Sequence, residues 1–208
     1  MFRLIVLIMG YVLGLIQMAY IVGRFKGIDI REHGSGNSGT TNALRVMGSK
    51  AGLLVFAVDM AKAIGAVILA RHLFPDYPAV AGIYAGLGTI LGHCFPFYLR
   101  FKGGKGIACY VGMLLAINPM MGLTLLAIGA SLLIFTRYMS VTSLVVTGLT
   151  PMFLGMWRFS SEVIVVSVMA AVLCYVLHKD NIIRLLQGTE RQLSFGSNST
   201  TAPNPSEE

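Results

Sequence analysis

The chain has 208 residues, of which 55% are hydrophobic and only 12% are charged, and its net charge is +7. Together with a mean hydropathy of +0.74, this composition excludes an ordinary soluble domain and predicts an all-α protein that crosses a membrane several times. In such a protein the basic excess sets orientation in the bilayer and attracts anionic substrates, so no nucleic-acid partner is predicted.

Apolar runs predict seven transmembrane helices. They cover residues 4–22, 51–73, 79–92, 107–117, 120–135, 139–156 and 163–177. No small-residue cleavage site follows the first run, which is therefore interpreted as a retained span. We predict one integral membrane domain over residues 1–193. Residues 194–208 are rich in Ser, Thr, Asn and Pro and are predicted to be a disordered tail.

The run at 107–117 is short for a span, and the distribution of basic residues decides whether it crosses. If it does, twelve of the 16 basic residues lie on the inner face; otherwise nine lie inside and six outside. Only the first arrangement also brings three polar stretches to one face. Seven spans with the polar stretches in the cytoplasm are therefore predicted.

The first polar stretch, residues 35–45, is dense in hydroxyl and amide side chains. A helix that begins near Thr40 or Thr41 would place Asn42 and Arg45 on one face. Free N–H groups at a helix N-terminus beside a guanidinium suit a phosphate or a developing oxyanion. An ordinary polar loop is the alternative interpretation.

Two charges interrupt the second predicted span. Asp59 and Lys62 are three residues apart, a spacing that permits an ion pair on a helix. Charges inside a membrane are costly and are usually paired. We predict a structural pair, with direct contact to substrate as the alternative.

The second polar stretch, residues 92–106, begins with His93 at the end of a span and finishes in alternating glycines and lysines. Glycines allow several N–H groups to converge in an anion-binding nest, to which Lys102 and Lys105 would add charge. The spacing is not that of a P-loop. Alternatively, the stretch is a basic membrane anchor with flexible glycines.

The third polar stretch, residues 178–190, follows the last span and predicts a short amphipathic helix at the interface, ended by Gly188. His178, Asn181 and Arg184 recur at every third position and would point in one direction. A simple anchoring helix with a basic face is the alternative.

Together, the three stretches resemble the bacterial acyl-phosphate:glycerol-3-phosphate acyltransferase family. The pattern Ser-Gly-Asn-x-Gly-Ala-Thr-Asn-x-x-Arg matches residues 35–45, with Thr40 in place of alanine. The pattern Gly-His-x-x-Pro-x-x-x-x-Phe-Lys-Gly-Gly-Lys-Gly matches residues 92–106. The pattern His-x-x-Asn-Ile-x-Arg-Leu-x-x-Gly-x-Glu matches residues 178–190.

The resemblance implies a seven-span enzyme of the bacterial inner membrane whose active site faces the cytoplasm. Such an enzyme transfers a fatty acyl group from acyl phosphate to the 1-hydroxyl of glycerol 3-phosphate. Its products are 1-acylglycerol 3-phosphate (lysophosphatidate) and phosphate, in phospholipid biosynthesis. Its partners are these two substrates and the lipid bilayer, and no cofactor is expected.

The resemblance also implies residue roles. Ser35, Arg45, His178 and Asn181 are expected to be catalytic, and Glu190 is expected to be structural, like Asp59 and Lys62. We expect the substrates to be bound by Gly36, Asn37, Thr41, Asn42, His93, Lys102, Gly103, Gly104, Lys105 and Arg184. No carboxylates pair within these motifs, so no metal is expected.

Some mechanistic alternatives stay open. His93 and His178 are both candidates for the general base, although His93 could equally be structural. We favour proton removal by a substrate phosphate, with His178 tuning the site. The chain lacks the His-x-x-x-x-Asp motif of acyltransferases that use thioesters, which favours an acyl-phosphate donor.

The rival functional class is a transporter or channel for a phosphorylated solute. Secondary transporters bind their solutes near the membrane midplane. Here the polar motifs lie at one end of the spans, which favours an enzyme.

Overall fold

The computed structural model describes residues 1–193, and all regular structure in that range is helical. The helices are α1 (Phe2–Gly14), α2 (Met18–Phe25), α3 (Thr40–Met47), α4 (Ser49–Leu73), α5 (Pro78–Cys94), α6 (Ile107–Ile117), α7 (Pro119–Thr136), α8 (Met139–Met156), α9 (Ser161–Leu177) and α10 (Lys179–Leu186). Single 3₁₀ turns occur at Ile30–Glu32 and Phe97–Leu99. The predicted all-α class is confirmed. The predicted tail, residues 194–208, lies outside the described residues.

Five segments are long and apolar enough to cross a membrane singly: Phe2–Phe25, α4, Pro78–Leu99, α7 and α8. Helices α9 and α10 together make a sixth if their bend of 61° is counted within one span. The seventh predicted span is α6, whose eleven residues rise about 16 Å, roughly half of the hydrocarbon core. The count of seven therefore stays a prediction.

Although α6 has only eleven residues, it lies in the centre of the bundle. It packs against α4, α5 and α7. Cys109, Tyr110, Met113 and Leu114 are all buried in the main hydrophobic core. A helix that is apolar on every side is expected in such a position.

The sequence predicted one continuous helix for the first span. In the structure this span is broken at residues 15–17. Gln17 is completely buried at this break. Its Nε2 donates to the carbonyls of His93 (3.0 Å), Gly14 (3.3 Å) and Gly92 (3.4 Å). Carbonyls at a helix end need such partners when no water is present. Apolar patterning alone does not reveal this break.

Helices α1 and α5 approach each other through glycines spaced four apart. These are Gly10 and Gly14 on α1, and Gly88 and Gly92 on α5. A Cβ at Gly88 would overlap the Leu7 carbonyl oxygen. Small residues at this spacing allow helix backbones to pack closely in membranes, where van der Waals contact supplies much of the stability.

Gly88→Ala should therefore destabilise the fold, since its new methyl group meets backbone rather than a movable side chain. We expect the free energy of unfolding to fall by about 1–3 kcal/mol, the usual cost of overpacking. Denaturation of the purified protein in detergent measures this effect.

Gly65→Ala is the matched control, because a Cβ at Gly65 on α4 would contact nothing within 4 Å. That substitution should change the free energy of unfolding by less than about 1 kcal/mol. Equal losses in the two variants would contradict close backbone packing between α1 and α5.

Candidate active site

The three polar stretches meet around one cavity of about 450 Å³. The loop before α3, the loop before α6 and the region around α10 each contribute to its wall. The predicted site residues that line it are Ser35, Gly36, Asn37, Thr41, Asn42, Arg45, Asp59, His93, Lys105, His178, Asn181, Arg184 and Glu190. Lys62, Lys102, Gly103 and Gly104 lie outside this lining.

Asn42 organises the loop that carries Ser35. Its side chain is 2% exposed, and its Nδ2 donates to the carbonyls of His33 (2.9 Å) and Ile30 (3.2 Å). Its Oδ1 accepts the N–H of Ser35 at 2.9 Å. Because both amide protons are used by the backbone, neither is free to bind a substrate, and direct contact of Asn42 with substrate stays a prediction.

Arg45 lies on α3 one turn beyond Asn42 and reaches the cavity wall. Its guanidinium makes no hydrogen bond to the residues that the structure describes. Burial and the charge of Arg191 lower the pKa of Arg45 from its ordinary value. Arg191 Nη1 in turn donates to the Gly34 carbonyl at 3.3 Å, which joins the third polar stretch to the first.

The glycines before α6 fold differently from the predicted nest. The Gly103 N–H donates to the Cys94 carbonyl and the Gly104 N–H to the His93 carbonyl, both at 3.1 Å. These two N–H groups are therefore unavailable to an anion. A Cβ at Gly104 would overlap His93 Nε2, so glycine is needed there for close approach. Lys102 is exposed, and its contact with substrate stays a prediction.

Lys105 is the cation of this loop that reaches the cavity. Its Nζ donates to Asn181 Oδ1 on α10. Burial and the nearby charge of Arg184 lower the pKa of Lys105 from its ordinary value. The second and third polar stretches are thus joined by a direct hydrogen bond.

Glu190 is the centre of a hydrogen-bond network below α10. Its side chain is only 6% exposed. It accepts from Asn181 Nδ2 (2.6 Å), Arg184 Nε (2.8 Å) and Ser140 Oγ (2.9 Å). Burial alone would raise the pKa of Glu190, but these hydrogen bonds outweigh it and hold the pKa below its usual value. Glu190 thereby orients two predicted site residues.

His178 follows the last residue of α9 and is 3% exposed. Its Nδ1 lies 2.8 Å from the Cys174 carbonyl oxygen. A carbonyl can only accept, so Nδ1 carries the proton and Nε2 keeps a free lone pair. Burial and the charge of Lys105 lower the pKa of His178 to about 4, which leaves its ring neutral near pH 7.

A buried ion pair joins Asp59, in the cavity wall, to Lys62 behind it. Lys62 Nζ is 2.7 Å from Asp59 Oδ1 and 3.0 Å from His93 Nδ1. The Asp59 contact is an ion pair without a well-directed hydrogen bond, so Oδ1 has no hydrogen-bond donor among the described residues. Asp59, His93 and Cys109 have donor atoms within 4.8 Å of one another. Since the Lys62 ammonium already pairs with the carboxylate and the ring, we infer no metal there.

Comparison with known proteins identifies the family. Residues 4–188, most of the chain, match the sequence model described as glycerol-3-phosphate acyltransferase. The chain belongs to this family. It therefore acylates glycerol 3-phosphate, and the family resemblance seen in the sequence is confirmed.

Relatives of the acyltransferase and solved structures agree with this assignment. A glycerol-3-phosphate acyltransferase of Thermoanaerobacter sp. (strain X514) is 38% identical over 93% of this chain and 96% of the relative. One from Clostridioides difficile (strain 630) is 39% identical, over 91% and 95% of the two chains.

Two crystal structures of PlsY (YgiH), an integral membrane glycerol 3-phosphate acyltransferase, resemble the fold. The glycerol 3-phosphate form has a TM-score of 0.86 and 33% identity, over 92% of this chain and 96% of that one. The lysophosphatidic acid form has a TM-score of 0.84 and 32% identity, over 92% and 95%. The acyltransferase is thus a multi-pass membrane protein.

Arg191 and Ser140 belong to the site although no motif indicated them. Arg191 was counted only as an inner-face cation, yet it lines the cavity and binds the first loop. Ser140 lies within an apolar span, and it donates to Glu190. Ser140 and Ser143 are three residues apart on α8 and both line the cavity, so a polar stripe within that span is the signal that could have found them.

Glu190→Gln should disturb the acyltransferase site, since the new amide N–H₂ would face donors on Asn181 and Arg184. We expect unfolding free energy to fall by about 1–3 kcal/mol, the cost of unsatisfied buried hydrogen-bonding groups. Because the pKa of Glu190 is lowered in the fold, its stabilisation is present above its ordinary value of 4.5 and is lost as pH falls through the lowered value. The difference in unfolding free energy between Glu190→Gln and the parent chain should therefore shrink at acidic pH.

Denaturation at pH 7 and at acidic pH measures both effects. Glu162→Gln is the control. Glu162, at the start of α9, pairs with the exposed Arg3 of α1, so its replacement should change the free energy of unfolding by less than about 1 kcal/mol. Similar losses in the two variants would contradict a special role for the Glu190 network.

Proposed function

We propose that this acyltransferase takes its acyl group from acyl phosphate and transfers it to the 1-hydroxyl of glycerol 3-phosphate. The products are 1-acylglycerol 3-phosphate and inorganic phosphate. The observation that carries the proposal is one cavity whose wall holds four cations drawn from three separate stretches. These are Arg45, Lys105, Arg184 and Arg191.

The charge balance of this cavity supports two anionic substrates. Of the three carboxylates in its wall, Asp59 pairs with Lys62 and Glu190 pairs with Arg184, so that Asp180 is the one without an ion-pair partner among the described residues. The pKa values of Arg45 and Lys105 are lowered because burial, together with repulsion by Arg191 and by Arg184 respectively, penalises their charged forms. Bound phosphate groups would offset that penalty, and both proposed substrates carry one.

The proposed roles follow from what each side chain can reach. Lys105 binds the phosphate group of glycerol 3-phosphate, and Arg45 binds that of the acyl donor and neutralises charge as the leaving group departs. Asn181 holds Lys105 by a hydrogen bond, and Arg184, on the same helix as Asn181, assists in binding phosphate. Ser35 acts at the acyl group, as a hydrogen-bond donor or as a nucleophile, and mass spectrometric trapping of an acylated Ser35 would distinguish the two.

In the transfer, the hydroxyl oxygen of glycerol 3-phosphate bonds to the acyl carbon, and the bond from that carbon to the phosphate oxygen breaks. The hydroxyl proton passes to a phosphate oxygen of the substrate. Acyl phosphate is already activated, so positioning supplies much of the catalysis. His178, neutral and with a free Nε2, accepts from the other, non-reacting hydroxyl of glycerol 3-phosphate and so orders the substrate.

We further propose that the cavity opens to the cytoplasmic side of a bacterial inner membrane. The basic residues of the three polar stretches support this orientation, because cytoplasmic segments are enriched in Lys and Arg.

The donor is tested with the purified full-length protein in detergent or lipid. With palmitoyl phosphate and glycerol 3-phosphate, phosphate release should depend on both substrates. Palmitoyl-CoA should be used at least about 100-fold less efficiently, since its leaving group does not fit a phosphate site. Full activity with glycerol 3-phosphate and palmitoyl-CoA as the only acyl donor would refute the proposed donor.

His178→Ala should reduce kcat without abolishing turnover. A general base commonly contributes about 100- to 10,000-fold, so a loss below about 100-fold is expected if a substrate phosphate takes the proton. His72→Ala, an exposed histidine at the far end of α4, is the control and should be near normal.

Steady-state kinetics from pH 5 to 9 make the measurement. If His178→Ala has no turnover at any pH while folding and substrate binding stay intact, the base role belongs to His178.

A further inference from the structure

We propose that Lys62 is a positioning residue for glycerol 3-phosphate binding. From behind the cavity wall, its ammonium fixes His93, and His93 in turn fixes Gly104, the residue that precedes Lys105. The inference rests on the proposed phosphate-binding role of Lys105. It assigns to the buried pair of α4 a role in substrate affinity beyond holding helices together.

The first step is the fixing of Lys62 itself. Its Nζ donates to the carbonyls of Gly14 (3.3 Å) and Ile16, at the break between α1 and α2, and is paired with Asp59 at 2.7 Å. Only about 3% of the Lys62 side chain is exposed, so these partners leave the ammonium one defined position. An apolar side chain would fill the space but could not satisfy the carbonyls.

The second step joins Lys62 to His93. Lys62 Nζ lies 3.0 Å from His93 Nδ1, and Asp59 Oδ1 lies 3.5 Å from the same nitrogen. The His93 backbone is held as well, because Gln17 Nε2 donates to its carbonyl at 3.0 Å. Both the ring and the main chain of His93 are thus determined by groups inside the membrane.

The third step joins His93 to the loop that carries Lys105. The His93 carbonyl also accepts the Gly104 N–H at 3.1 Å, and its ring nitrogen Nε2 fills the space that a Cβ at Gly104 would occupy. Lys105 is the next residue and donates to Asn181 on α10. A shift of the His93 ring therefore displaces the backbone on which Lys105 is mounted.

The ion pair is difficult to explain as packing alone. Buried charges in a membrane are costly, and a well-packed apolar pair in place of a buried ion pair is often neutral or stabilising. Lys62 contacts Asp59 and His93, which both line the cavity, and the His93 carbonyl accepts from the loop of the active site. A positioning role accounts for the presence of charge at this place on α4.

The test measures KM for glycerol 3-phosphate, kcat and the thermal midpoint for Lys62→Met in the full-length enzyme. We expect KM to rise about tenfold or more while kcat changes less than about threefold, the pattern for a loss of ground-state binding. Asp59→Asn with Lys62→Gln, a neutral polar pair, serves if Lys62→Met does not fold, and the same rise in KM is expected.

The control is Arg71→Met, on the same helix. Arg71 also donates to two backbone carbonyls, those of Ala116 and Ile117, but at the far end of α4. This variant should lose stability and keep its KM. If Lys62→Met behaves like Arg71→Met, with lower stability and normal KM, the positioning role is overturned.

A double-mutant cycle with Gly104→Ala tests the path through His93. Gly104→Ala should raise KM, and the combination with Lys62→Met should raise it less than the product of the single effects, because both act on one contact. Effects that multiply independently would overturn the path.

Lys105→Met separates the two proposals. If it leaves KM for glycerol 3-phosphate normal, the proposed role of Lys105 fails. If it raises KM while Lys62→Met does not, only the positioning inference fails.

Discussion

The Lys62 ammonium lies among the Asp59 carboxylate, the His93 ring and two carbonyls freed where the first span breaks. No water is available in a bilayer core, so each of these polar groups needs a protein partner. Satisfying them together ties α1, α4 and α5 to one another at a single depth. That depth is where α5 ends and the glycine loop begins, and the position of the active site follows from it.

Close packing extends this constraint to the rest of the bundle. The glycines of α1 and α5 bring two backbones into contact, and Gly112 on α6 is likewise tight against the Met60 carbonyl of α4. Helix α6 is short and central, so the loop before it enters the bundle rather than remaining at its rim. The cavity therefore has a rigid apolar floor and a polar wall.

Electrostatics then give the wall its chemistry. Glu190 uses its carboxylate to orient Asn181, Arg184 and Ser140, and Asn181 passes that order to Lys105. Arg191 donates to the Gly34 carbonyl and so connects the segment after α10 to the loop before α3. The Glu190 carboxylate thus holds Arg184 directly and Lys105 through Asn181, although these two cations repel each other. The remaining positive charge suits a site that binds phosphate groups.

Apolar runs and motif spacing are local properties of the chain, and they were enough to predict the helical membrane class, most helix bounds, a helix that begins near Thr40 or Thr41, and the family. Motifs and charge patterns also identified 13 of the 27 residues that line the cavity. Four features became visible only in the folded chain: the break at Gln17, the burial of α6, the place of Ser140 and Arg191 in the cavity wall, and the hydrogen bonds from the Gly103 and Gly104 N–H groups to α5 carbonyls. These features depend on contacts between residues distant in the chain, because a buried donor takes whichever acceptor the fold brings to it, and no local pattern records that choice.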